Sequence, residues 1–204
     1  FRLYQLNNQE KAFYNKYHFD IEINLAEHGF TEMGGLHYRT DHDLSGHQKI
    51  SKQNLEILDE SSGQKFLPHV LELSFGVDRN VYALLDLNYL DDKERGNIVL
   101  KFPSKVTPFL CAVFPLVKNK EDLVRKAEEV YALLKSAYSC LYDETASIGR
   151  RYARADEIGV RYCITLDFDS LTDQAVTVRD RDSTKQARIK IVNLKDYLFN
   201  LYFQ

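Results

Sequence analysis

The chain has no tryptophan, one methionine, four prolines, nine glycines and three cysteines in 204 residues. So little proline and glycine excludes collagen-like and low-complexity disordered chains, and 44% hydrophobic with 28% charged residues is the composition of a soluble globular protein. Cys111, Cys140 and Cys163 are an odd set without CxxC spacing, each within an apolar or alternating run. They read as reduced core residues, which excludes a disulfide scaffold and favours a reducing, cytoplasmic location. Long hydrophobic runs are missing as well. The longest candidate, Phe109 to Val117, is about half the ~18 residues that a membrane helix needs, so neither a membrane span nor a membrane partner is expected. Excess charge of one sign is lacking too, the net being −3. Residues 1–105 carry 12 Lys plus Arg against 16 Asp plus Glu, whereas residues 106–204 carry 15 against 14, so a polyanion has more reason to land on the second half.

What is present divides into two domains. Two prolines, Pro103 and Pro108, interrupt regular structure, and the expected division is a first domain at 1–105 and a second at 106–199. The chain opens with Phe1 rather than Met, as expected of a fragment, and residues 200–204 copy five residues of a common protease-cleavage tag and are set aside as a tag remnant. In the second domain, Phe109 to Leu116 is an apolar run typical of a strand covered on both faces. Leu123, Ala127, Val130, Leu134 and Ala137 then recur at helical spacing. A short strand follows at Ser139 to Tyr142, a helix at Ser147 to Ile158 ending at Gly159, and strands at Val160 to Phe168 and Ala175 to Arg179. Ser183 and Gln186 form a capping box, predicting a last helix with Ala187, Ile191, Leu194 and Leu198 on one face. This order implies a small α/β domain with a mixed, mainly parallel sheet. The first half is richer in strands: Phe19 to Leu25, Phe30 to Leu36, and Val70 to Phe75 followed by a helix from Val77 to Leu85.

Four groups of residues could carry chemistry. Glu32 and Glu72 lie on predicted strands beside glycine or small residues. They either face solvent on an open sheet or, if buried and convergent, need a cation between them, such as a ligand ammonium. Ser74 shares a face with Glu72 and offers one more hydrogen bond. Arg79 sits in the first turn of a predicted helix, where a cation opposes the helix dipole and a nearby anion would explain it; it is either a solvated arginine or a bidentate phosphate contact. His37, His42 and His47 lie with Asp41 and Asp43 in one segment whose spacings match no standard zinc pattern, so a hydrogen-bonded loop is expected there and no metal site. Arg150, Arg151, Arg154, Arg179 and Arg181 are interleaved with Asp156, Glu157, Asp180 and Asp182. They fit either a nucleic-acid surface or an internal salt-bridge network.

Taken together, Gly29 to Gly35, Arg39-Thr40-Asp41, Asp43-Leu44, His69 to Arg79, Ile148 to Gly159 and Val178 to Asp182 resemble a glycyl-tRNA synthetase of the dimeric class II type. The resemblance covers nearly the whole chain. It implies the C-terminal part of an antiparallel-sheet class II catalytic domain followed by an α/β anticodon-binding domain. It further implies that Glu72 to Arg79 is the third class II motif, with Arg79 gripping the ATP phosphates, and that Glu32, Glu72 and Ser74 surround the amino group of glycine. Implied with these are ATP as substrate, Mg2+ between its phosphates, tRNA(Gly) as partner, and a homodimer or a partner N-terminal half supplying the first two motifs, expected before residue 1. By itself the chain is expected to bind tRNA weakly and to aminoacylate nothing. Leu73 stands where the family usually has proline. A second reading is a non-catalytic nucleic-acid-binding subunit, since the processivity subunit of the mitochondrial DNA polymerase resembles the same synthetases; an ammonium pocket has no use in such a protein.

Overall fold

The computed structural model describes residues 1–203. Contacts divide the chain into a first unit, Phe1–Leu87, and a second beginning at Asn88.

The first unit is built on a four-stranded antiparallel sheet. Its strands are β1 (Arg2–Gln5), β2 (Tyr17–Leu25), β3 (Gly29–Thr40) and β6 (Val70–Phe75), in that spatial order. Helix α1 (His42–Ser51) and a small hairpin of β4 (Ile57–Asp59) and β5 (Gln64–Phe66) fill the connection between β3 and β6. Helix α2 (Val77–Asn88) follows β6. The segment with three histidines and two aspartates is therefore not a loop: His37 ends on β3, and His42 and His47 lie on α1. The register of β2 on β3 shifts once, from Ile21 opposite Gly34 to Glu22 opposite Glu32, so Met33 is the extra residue of a β-bulge. Met33 is buried with Leu25 and Ala83 in the small apolar core of this unit.

In the second unit, β7 (Tyr89–Asp92) and β8 (Asn97–Leu100) form a hairpin that leads into the main sheet. That sheet contains β9 (Cys111–Pro115), β10 (Cys140–Tyr142), β11 (Tyr162–Leu166), β12 (Ala175–Asp180) and β13 (Gln186–Lys190) in the order β10-β9-β11-β12-β13. β9 pairs in parallel with β10 and β11, and β12 pairs antiparallel with β11 and β13. Every residue of β9 and β11 is buried, as an apolar run in a central strand requires. One face packs Cys111, Val113, Ile164, Val176 and Val178 against α3 (Glu121–Lys135) and α6 (Leu194–Tyr202). The other packs Ala112, Phe114 and Cys163 against Ala155 of α4 (Ile148–Glu157), giving three layers. A short helix, α5 (Ser170–Asp173), joins β11 to β12.

Two expectations change. The last helix begins at Leu194 and not at Ser183, because Ser183 hydrogen-bonds back to Asp180 in a turn and residues 186–190 pair with β12. Ala187 and Ile189 alternate with exposed neighbours, so a period of two outweighs the capping-box pattern there. Helix α6 also continues through Leu201 and Tyr202, which pack against the core, so residues 200–202 of the segment set aside as a tag remnant extend this helix, and Gln204 lies outside the described residues. The division between units falls upstream of the proline segment for a physical reason. Val99 and Phe102 are buried within the second unit, and Arg95 of the β7–β8 turn donates to the carbonyls of Arg181 and Asp182 at 2.8 and 3.0 Å.

Candidate functional site

The site residues of the first unit are gathered by sheet register. Glu22 faces Glu32, Asp20 faces Gly35, and His18 faces His37; on the far side, Gly35 faces Ser74 and His37 faces Glu72. Paired residues share a face, so His18, Asp20, Glu22, Glu32, Gly35, His37, Glu72 and Ser74 form one polar surface. Without the bulge at Met33, Glu32 would point to the opposite side, because it lies an odd number of positions from Gly35 and His37.

The carboxylates on this surface do not share one cation. Each has its own. Arg79, from the first turn of α2, donates from Nη1 to Glu32 Oε2 at 2.9 Å and to the Glu32 carbonyl at 3.1 Å. This is the anion that its unfavourable position on the helix dipole called for. Glu72 is bound by Arg39, which also donates to Asp43 at 2.6 Å. The Arg39 hydrogen bond holds the Glu72 carboxyl below its ordinary value. Asp20, facing His18 at 3.0 Å, is pushed up, first by burial and then by the charge of Glu32. Arg79 keeps 57% of its side chain exposed and Glu32 45%, so both remain open to a ligand. Arg39 and Asp20 were not singled out as site residues, and His37 was weighed only with His42 and His47 as a metal group. The alternation of Asp20, Glu22 and Asn24 with apolar residues in the predicted strand from Phe19 to Leu25 was the available signal for Asp20.

At Gly35 the floor of this surface is bare backbone, whereas Gly34, paired with Ile21 and Phe75, faces the other side of the sheet. A Cβ on Gly34 would fall 2.5 Å from Phe75 Cδ1 and 2.6 Å from the Ser74 carbonyl oxygen, and one on Gly35 would collide with the His37 ring. Neither position has room for a side chain while its neighbours stay in place. Leu73 pairs with Leu36 within β3–β6.

The five arginines proposed for nucleic acid separate sharply. Arg151 is 2% exposed and donates to the carbonyls of Pro115, Leu116 and Ala146 at 2.5, 3.2 and 3.1 Å. Arg179 is buried and grips Asp156 bidentately at 2.8 and 2.9 Å. Arg181 is fully buried and donates to the carbonyls of Gly159 and Phe102 at 2.9 and 2.7 Å. These three are interior struts and not a surface. Arg154 is committed to Asp143 at 2.5 Å and to the Thr145 carbonyl at 2.7 Å. Arg150 alone of the five is exposed, since α4 turns its neighbour inward.

The second unit is thus a three-layer packing on a mixed sheet, held from within by these arginines. Residues 110–201 match the family described as "Anticodon binding domain". The chain as a whole is similar to glycine–tRNA ligases: it is 45% identical over 193 residues to those of Lachnoclostridium phytofermentans and Clostridium acetobutylicum, and 44% identical over 189 residues to that of Malacoplasma penetrans. These matches cover 93%, 93% and 91% of this chain and 41%, 41% and 40% of the relatives. The chain therefore spans about two fifths of the length of the curated relatives it matches. The resemblance drawn from the motifs holds over nearly all of it.

Proposed function

We propose that this chain supplies the amino-acid pocket, the third class II motif and the anticodon-binding domain of a glycine–tRNA ligase. The observation that carries the proposal is the bulge at Met33, which sets Glu32 on the same face as Glu72 and Ser74 with Arg79 bound to it. In this reading Glu32, Glu72 and the Ser74 hydroxyl receive the ammonium of glycine. Arg39 keeps Glu72 ionised for that task, and Arg79 turns from Glu32 to the phosphate tail of ATP when substrates enter. The glycine carboxylate attacks the α-phosphorus and pyrophosphate leaves. A ribose hydroxyl at the end of tRNA(Gly) then attacks the glycyl carbonyl and AMP leaves. The contribution of these residues is positioning and charge neutralisation. The described residues contain no cluster of three or more His, Cys, Asp or Glu side chains able to hold a metal. Mg2+ is accordingly assigned to the ATP phosphates, where it would neutralise charge.

The same proposal gives the anticodon contact to the second unit, with Arg150 as the basic side chain free to meet phosphate. The partners are tRNA(Gly), glycine, ATP, and a homodimer mate or N-terminal half, in the cytoplasm. No helix among the described residues is long and apolar enough to cross a membrane. The polar face argues against a purely DNA-binding accessory subunit, which has no ligand for it. In the full-length protein, glycine-dependent exchange of pyrophosphate into ATP should fall at least a hundredfold in Arg79→Ala, a loss on the scale of removing one charge-stabilising donor, ~10²–10³. Full exchange in that variant would remove Arg79 from the site.

A further inference from the structure

We propose that His37 sets the size limit of the amino-acid site, its imidazole occupying the space above Gly35 into which any substrate side chain would project. The inference rests on the glycine-activation reading given above. It begins from the centre of the polar surface. Gly35 is flanked by Asp20 on β2 and Ser74 on β6, so the row that separates Glu32 from Glu72 has no side chain on β3 itself. The His37 ring leans back over that gap. Its Nε2 and Cε1 stand where a Gly35 Cβ would be, both inside van der Waals contact.

The ring is held there from behind. Asn15, 4% exposed, donates from Nδ2 to His37 Nδ1 at 3.2 Å. His18 lies against the ring with centroids 4.0 Å apart, and His18 Nε2 stands 3.0 Å from the Asp20 carboxylate. Asn15, His18 and Asp20 come from the turn before β2 and from β2, so the orientation of His37 is set by a strand other than its own. Glu72 and Arg39 complete the surroundings of the ring, and burial together with His18 pushes its pKa below the ordinary histidine value. At neutral pH it is therefore an uncharged, flat obstacle that does not itself compete for the carboxylates.

Glu72 pairs with His37 and Ser74 with Gly35, so an ammonium seated among Glu32, Glu72 and Ser74 would bring its α-carbon against the edge of this ring, which fills the space that a methyl on that carbon would need. Glycine has no side chain to recognise, so selectivity has to come from a group that removes volume beside the α-carbon. Gly35 has no side chain with which to do this, and His37 supplies the volume in its place.

The test is pyrophosphate exchange by the full-length protein with glycine and with L-alanine, giving kcat/KM for each in the wild type, His37→Ala and His37→Gln. Each variant is first compared with wild type by thermal melting. His37→Ala should raise the alanine-to-glycine ratio of kcat/KM by about tenfold or more, the scale on which one methyl group is discriminated. His37→Gln, which keeps most of the bulk, should leave the ratio near wild type. An unchanged ratio in His37→Ala with glycine exchange intact overturns the proposal, and so does an equal rise in both variants. If His37→Ala does not fold, His37→Ser replaces it with the same expected rise. Wild-type protein without any glycine-dependent exchange removes the underlying reading instead, and the size limit with it.

Discussion

Arg150 and Arg151 are neighbours on α4 with opposite fates, and a helical turn of about 100° per residue explains the difference. Arg150 faces solvent, while Arg151 threads into the interior and donates to backbone carbonyls at the ends of β9 and in the loop before α4. Arg151→Met should therefore destabilise the protein by about 3 kcal/mol or more, because several buried carbonyls lose their donor. Arg150→Ala should change stability by less than ~0.5 kcal/mol and act only on tRNA affinity. Urea denaturation of the two variants checks this, and equal losses would contradict it. At the same scale, the Arg39 hydrogen bond depresses the Glu72 pKa. The sign is that of a carboxylate stabilised in its ionised form: its contribution is present above the ordinary glutamate value and is lost as pH falls through the lower folded value. Arg39→Met should raise the Glu72 pKa, measurable by NMR titration of the carboxyl carbon. The thiol of Cys163 is pushed up to about 12 by burial. With Cys111 and Cys140 also buried and unpaired, native protein should take up no alkylating reagent at pH 8 until it is unfolded.

Elements were legible in the sequence where one period dominated. The apolar run ending at Pro115, the spacing of Leu123, Ala127, Val130 and Leu134, and the alternation through Ile21 and Ile23 became β9, α3 and β2. Residues 186–190 were misread as helix because Ser183 and Gln186 satisfy a capping pattern locally, whereas pairing with β12 decides the outcome across the sheet. The candidate site was legible as residue types. Its assembly was not, because a single bulge reverses which face Glu32 occupies, and no residue pattern in β3 announces it. The interior arginines were legible in part: an internal salt-bridge network was one of the two readings, and Arg179 does bind Asp156, but the carbonyl partners were not foreseeable. Arg151 and Arg181 are satisfied mainly by carbonyls distant in sequence, such as Pro115 and Phe102, which composition does not reveal. Gly159 was correctly placed as a helix stop. Its φ is +78° and a Cβ there would collide with the Phe102 ring. Gly159→Ala should lower stability by more than ~1 kcal/mol, since both backbone and packing oppose it. A neutral result in thermal unfolding would contradict that assignment.

For the whole molecule, the two units differ in what holds them. The second buries fifteen residues in one cluster and five in another, whereas the first buries Leu25, Met33 and Ala83. Leu71, Leu73 and Phe75 on β6 remain 68%, 60% and 53% exposed. Stability should follow the cores, so amides of β9 and β11 should exchange with deuterium far more slowly than those of β2 and β3. A chain beginning at Asn88 should fold by itself. One beginning at Val106, where the proline segment suggests a boundary, should be markedly less stable, because it lacks Arg95, Val99 and Phe102.

The measurement that bears most directly on the central claim is the binding of glycine to the polar face of the first unit, read as pyrophosphate exchange by the full-length protein in wild type, Glu32→Gln and Glu72→Gln. Exchange that depends on glycine and whose kcat/KM falls at least tenfold in both variants is the predicted result, since each removes one of the charges proposed to meet the ammonium. Exchange that needs no glycine, or that is untouched by both substitutions, would contradict it.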